Sequence, residues 1–140
     1  MRISIFKAGL GVAMLLAGST PALASGNAYL CAINEVYECA DMAGCQRISL
    51  ETANLAPVML LDVENKKLKS APLGQDPRSA DIKNISVTDD YILLHGLGAE
   101  NAPTPRSWSA LIARKTGVLS AGVSTPDASL AVTGKCTGQP

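Results

Sequence analysis

Cys31 lies in the first strand-like run of this chain and Cys136 in the last. No other feature restricts the fold so tightly. Side chains alternate across a strand, so Leu130, Val132, Gly134 and Cys136 share one face of the last run. Ser129, Ala131, Thr133 and Lys135 share the other, which makes the cysteine face the apolar, inward one. In the first run Tyr29, Cys31 and Ile33 fall together by the same rule. A meander whose ends meet brings two such cysteines side by side. The pattern therefore predicts Cys31–Cys136 and leaves Cys39–Cys45 as the second pair. The crossed pairings, Cys31–Cys39 with Cys45–Cys136 or Cys31–Cys45 with Cys39–Cys136, stay open on the sequence alone. On a chain-entropy estimate, closing a loop of about a hundred residues stabilises by roughly 4–5 kcal/mol, and the short loop by about 2. The first figure is comparable to the net stability of a whole domain, about 5–15 kcal/mol.

The runs between these cysteines read as β throughout. AYLCAINEVYEC, PVMLLDV, IKNISV, YILLHG, SWSALIA, GVLSAGV and SLAVTGKCT are rich in Val, Ile and Leu and are separated by Asn, Asp, Gly and Pro. Hairpin turns are expected at Glu64-Asn65-Lys66-Lys67, Thr88-Asp89-Asp90 and Arg114-Lys115-Thr116-Gly117, where Gly117 supplies a positive φ. Ser49 to Leu55 has the marks of a short helix, with Ser49 as its N-cap and Pro57 as its end. Ser70 to Ala80 and Gly98 to Arg106 read as long surface loops, each with two prolines. Short strands in sequence order without helical crossovers give an all-β fold class. The expected architecture is a disulfide-stapled antiparallel meander, forming a small closed or partly closed barrel or a sandwich.

Met1 to Ala24 has the order of a secretory signal peptide. Arg2 and Lys7 come first, then the apolar Gly9 to Ala17, then the small-x-small Ala22-Leu23-Ala24. The apolar run is shorter than the roughly 20 residues of a spanning helix. The reading is residues 1–24 as signal and 25–140 as a single β domain, periplasmic or secreted, with no membrane insertion after cleavage. Arg2 and Lys7 leave with the signal, so ten basic and twelve acidic residues remain and the net charge is −2. Such a domain lacks the basic excess of a nucleic-acid binder. Its only aromatics are Tyr29, Tyr37, Tyr91 and Trp108, too few for base-stacking platforms.

In an oxidising compartment four cysteines pair. CADMAGC, Cys39 to Cys45, has a spacing of five, outside the short spacings of structural zinc sites, and His95 is the single histidine. It lacks the C-x-x-C of a redox pair and the C-x-x-C-H of haem attachment. No cofactor and no metal site are expected. A Ser/His/Asp hydrolase would have to use His95 as base, yet no G-x-S-x-G string supplies its nucleophile. His95 shares a face with Tyr91 and Leu93 at a strand end. Asp89-Asp90 reads as a solvated turn, and Gly96-Leu97-Gly98 is not followed by a helix. Asn84-Ile85-Ser86 matches the glycosylation sequon within a strand. Trp108 shares a face with Ala110 and Ile112, which assigns it to the core. The loop beside it is the candidate binding edge, with Pro103, Pro105, Arg106 and Trp108 as its residues, because function often sits on loops.

The order Tyr29-x-Cys31, Tyr37-x-Cys39, Cys45, LLDV with Asp62, and Gly134-Lys135-Cys136 resembles a group of small exported proteobacterial proteins of unknown function. That resemblance implies a periplasmic, β-rich, disulfide-bonded domain and brings no activity or site residues. The chain is also similar to the periplasmic inhibitors of C-type lysozyme, compact barrels tied between their ends, though it lacks their Ser-Gly-Ala-Arg-Tyr motif. The function expected first is a non-catalytic binding or interaction module of the cell envelope, engaging an envelope protein or small ligand. A lysozyme-type inhibitor and an enzyme built around His95 are the alternatives.

Overall fold

In the computed structural model, residues 28–41, 43–70, 78–98 and 104–138 are described. The proposed signal segment, 1–24, lies outside them. Nine strands follow in order: β1 (Ala28–Ala40), β2 (Gly44–Ile48), β3 (Val58–Asp62), β4 (Lys67–Ser70), β5 (Ser79–Val87), β6 (Tyr91–Leu97), β7 (Ser107–Ala113), β8 (Val118–Ser124) and β9 (Ala128–Gly138). Every neighbouring pair is antiparallel, and β1 pairs along its length with β9, from Tyr29↔Gly138 to Ala40↔Ala128. Closure through β1 and β9 makes eight of the strands a barrel, which removes both sheet edges at that seam. This decides between barrel and sandwich. The ninth strand, β2, is an extra ribbon on the upper half of β1, pairing Val36↔Ile48 through Ala40↔Gly44.

Cys31 stands directly opposite Cys136 in the β1–β9 ladder, and the two are disulfide-bonded with their Cα atoms 3.9 Å apart. Cys39 and Cys45 are likewise opposite each other and bonded, at 4.0 Å. These are the close spacings of pairs that exchange no backbone hydrogen bonds, the positions where side chains approach most nearly. The amide of Cys136 accordingly points away from β1 and donates to the carbonyl of Gly117 (2.7 Å). Alternation aims the first disulfide into the barrel, where both cysteines are buried beside Ile33, Val36, Leu61 and Val132. Every buried side chain among the described residues is apolar.

β2 and β4 are the strands whose sequences carry no strand pattern of their own. GCQRI has one β-branched residue and KLKS has none. Pairing makes them: β2 is held by the long edge of β1 and the Cys39–Cys45 bond, β4 by β3 and β5. The three expected hairpins are present, with Lys66 and Gly117 at positive φ (52° and 72°). The expected helix at 49–55 is a single turn instead. Ser49 caps it as expected, its Oγ accepting from the amide of Thr52 (3.0 Å). Asn54, at φ 52°, ends it three residues before Pro57, too soon for a helix to propagate. The turn still packs: Ala53 is buried, and Leu50 and Leu55 lie against the core.

Candidate functional site

Antiparallel order fixes which connections share an end. β1, β4, β6 and β8 run one way and β2, β3, β5, β7 and β9 the other. The tight turns β3–β4, β5–β6 and β7–β8 therefore close one end of the barrel. The β4–β5 and β6–β7 connections, which hold the two long loops expected from the sequence, leave from and return to the opposite end. Residues 71–77 and 99–103, Pro103 among them, lie outside the described residues.

At the first neck the amide of Ser70 donates to the carbonyl of Arg78 (2.8 Å), and the amide of Arg78 donates to Ser70 Oγ (2.7 Å). The Arg78 guanidinium then reaches across to the capped turn, donating to Asn54 O (2.9 Å) and Oδ1 (2.8 Å). At the second neck the amide of Gly98 donates to the carbonyl of Arg106 (2.8 Å), and the Arg106 side chain lies on Gly98. Arg106 Nε is buried there without a hydrogen-bond partner. Pro105 beside it is exposed. Trp108 is packed against the core as expected, and its Nε1 donates to the carbonyl of Leu97 (3.0 Å), fixing the departure of the loop. The indole lies over Gly96, where a Cβ would come within 2.5 Å of the ring and of Asp81 O. Arg78-Ser79 and Arg106-Ser107 thus open β5 and β7 in the same way. The repeated Pro-Arg-Ser is the sequence signal that would have linked the two loops.

The same end carries a groove of about 450 Å³ lined by Asn34, Glu35, Val36, Arg47, Ile48, Ser49 and Leu50. It arises because β1 changes partner on one edge. Ala28–Ala32 pair with β3 and Val36–Ala40 with β2, while the ladder to β9 bulges between Ile33 and Glu35. The groove holds an ion pair, Glu35–Arg47 (3.4 Å), and Tyr37 Oη donates to Glu35 Oε2 (3.3 Å). No periodicity signals a notch of this kind, because it depends on which strand pairs where.

The chemistry-bearing residues named from the sequence are not brought together. His95 faces outward from β6 in a cross-strand row with Asn84 and Ser109. Its Nδ1 is 3.4 Å from Asn84 Nδ2, and the row lies on the convex wall of the barrel. Asp89 and Asp90 are exposed in a tight turn at the other end, where Asp90 pairs with Lys115 (2.7 Å). Asp90 and His95 are five residues apart along a strand, roughly 17 Å at about 3.3 Å per residue. Among the described residues no three of His, Cys, Asp and Glu form a group that could hold a metal ion. No helix among them is long and apolar enough to cross a membrane. Two carboxylates are held below the usual range. Asp62 accepts from the Asn65 amide (3.0 Å) and Nδ2, with Lys69 adding a smaller effect. Asp81 is lowered chiefly by its hydrogen bond with Lys67, and further by Lys83. Both sit on the outer wall and tie β3–β4 and β4–β5 together.

Comparison with protein-family models, with curated proteins and with solved structures gave no match. The two disulfides suit a chain that matures in an oxidising compartment.

Proposed function

We propose that this protein is an exported, non-catalytic binding module of the cell envelope, working from the end of the barrel that carries its two long connections. The single observation behind this reading is the asymmetry of the ends: tight turns at one, two arginine-necked connections and the Glu35–Arg47 groove at the other. A rigid scaffold that gathers its loops at one end is the common arrangement of binding proteins. The disulfides serve that arrangement by fixing the seam and the β1–β2 ribbon beside the loops. Export, a periplasmic or secreted location and membership of the small proteobacterial group named above belong to the same proposal. The partner is an envelope protein or a small ligand presented there.

The test is a cross-linking capture from envelope extract with the oxidised protein as bait. Pro105→Ala/Arg106→Ala alters the loop end, and Asp90→Ala/Lys115→Ala alters the tight-turn end. A component retained by the wild type and the second variant, and lost with the first, is the expected result. Retention indifferent to the loop-end changes overturns the reading. So does any turnover that His95→Ala abolishes in a folded protein.

A further inference from the structure

Charge is divided unevenly over the outside of this barrel. The outward residues of β1–β5 include Glu35, Asp62, Lys69 and Asp81, all in ion pairs with neighbours such as Arg47 and Lys83. β6, β7 and β8 contain no Asp, Glu, Lys or Arg at all. In a soluble domain about a quarter to a third of the surface is usually charged. Three adjacent uncharged strands are a wall, and charged groups appear only at its ends, Asp90 and Lys115 below and Arg106 above. An uncharged centre with a polar rim is how protein interfaces are built.

The relief of the wall is as regular as its charge. β6 carries an exposed ridge, Tyr91 at 45%, Leu93 at 43% and Leu97 at 51%, with the exposed His95 between the two leucines. β8, two strands away, presents Val118, 52% exposed, at the level of Tyr91 and then only Ser120, Gly122 and Ser124. The ladders align these as cross-strand rows running large to small: Leu93, Leu111, Ser120 in one, and Leu97, Ser107, Ser124 in another. Beyond the row of Tyr91 and Val118, a ridge and a trough flank a central strand and are self-complementary.

We propose that this wall is the interface of a weak homodimer, with the two-fold axis lying in the interface along β7. That axis sets β6 of each copy over β8 of the other, so Leu93 meets Ser120 and Leu97 meets Ser124 on both sides. The long ridge side chains span the gap that two convex walls leave beside the axis. Three strands of seven residues cover about 14 by 23 Å, so the pair buries roughly 640 Å² of projected wall. Stable interfaces bury about 1,200–2,000 Å², which places this dimer among weak, transient contacts.

Sedimentation of the oxidised protein from about 10 µM to about 1 mM tests this, since weak interfaces dissociate in that range. A reversible monomer–dimer equilibrium is expected. Leu93→Lys and, independently, Ser120→Leu should each weaken it at least tenfold. Both sites are on the exterior, and an unchanged melting temperature shows the fold intact. Lys69→Glu, on the charged side, should leave it unchanged. Raising NaCl from about 50 to about 500 mM should not weaken it, because screening acts on charges. A monomer throughout the range overturns the proposal. So does a dimer insensitive to Leu93→Lys but lost with Arg47→Pro, which would mark pairing through the free edge of β2.

Discussion

Gly96→Ala is the substitution whose outcome the structure fixes most closely. Gly96 faces the barrel interior between Ile82 on β5 and Trp108 on β7. A methyl there would stand 2.5 Å from Asp81 O and 2.5 and 2.6 Å from two atoms of the Trp108 ring. The carbonyl belongs to a strand paired on both sides and cannot retreat, so the indole must move. Its hydrogen bond to Leu97 O then breaks, and the neck of the 98–106 connection loses its anchor. Overpacking costs about 1–3 kcal/mol, and one lost hydrogen bond about 1, so stability should fall by about 2–4 kcal/mol. The chain has one tryptophan, so its fluorescence reports this site alone. With a urea m-value of about 1–3 kcal/mol/M, the unfolding midpoint should drop by about 1–2 M, and native emission should shift to the red. Adding Trp108→Leu relieves the ring contact but not the carbonyl. The double-mutant cycle should therefore recover about 1–2 kcal/mol and no more. A midpoint moved by less than about 0.3 M, with native emission unchanged, would refute the packing argument.

Replacing Cys31 and Cys136 together by Ala should cost about 5 kcal/mol from the chain separation of 105, against about 2 for Cys39 and Cys45 with a separation of 6. Chemical denaturation of the two double variants checks the order, and equal costs would contradict it. Ser49→Ala removes the acceptor for the Thr52 amide and should cost about 0.5–2 kcal/mol by the same assay. Asp62 and Asp81 both have lowered values, so the unfolded chain takes up protons before the folded one as the solution is acidified. The stability they contribute is complete above about pH 5 and is lost as pH falls through their folded values. Melting temperature against pH should fall on the acid side, and Asp62→Asn should lie below the wild type at neutral pH and converge with it in acid.

The strands legible in the sequence were those with their own alternation. β9 shows it best: Leu130, Val132, Gly134 and Cys136 are buried and the residues between them exposed, as the period of two requires. The same alternation placed Trp108 inward, and it paired the cysteines correctly. β2 was not legible, because GCQRI becomes a strand only when β1 and a disulfide hold it. The helix expected at 49–55 failed for the opposite reason. Its cap was readable, but the left-handed residue that stops it, Asn54, is braced by Arg78 from 24 residues away. The groove at Asn34 and Arg47 depends on where β1 changes partner, which no local pattern records. The uncharged wall was present in SWSALIA and VLSAGVS, but only the barrel makes those runs neighbours with one exposed face.

Closure of the barrel by sulfur at its seam is the claim on which the rest stands. Proteolysis of the unreduced protein, followed by mass spectrometry of the linked peptides, tests it directly. One peptide pair joining Cys31 to Cys136 and another joining Cys39 to Cys45, with no thiol open to alkylation, is the result expected. A linkage between Cys31 and Cys39, or stoichiometric labelling of free thiols, would contradict it.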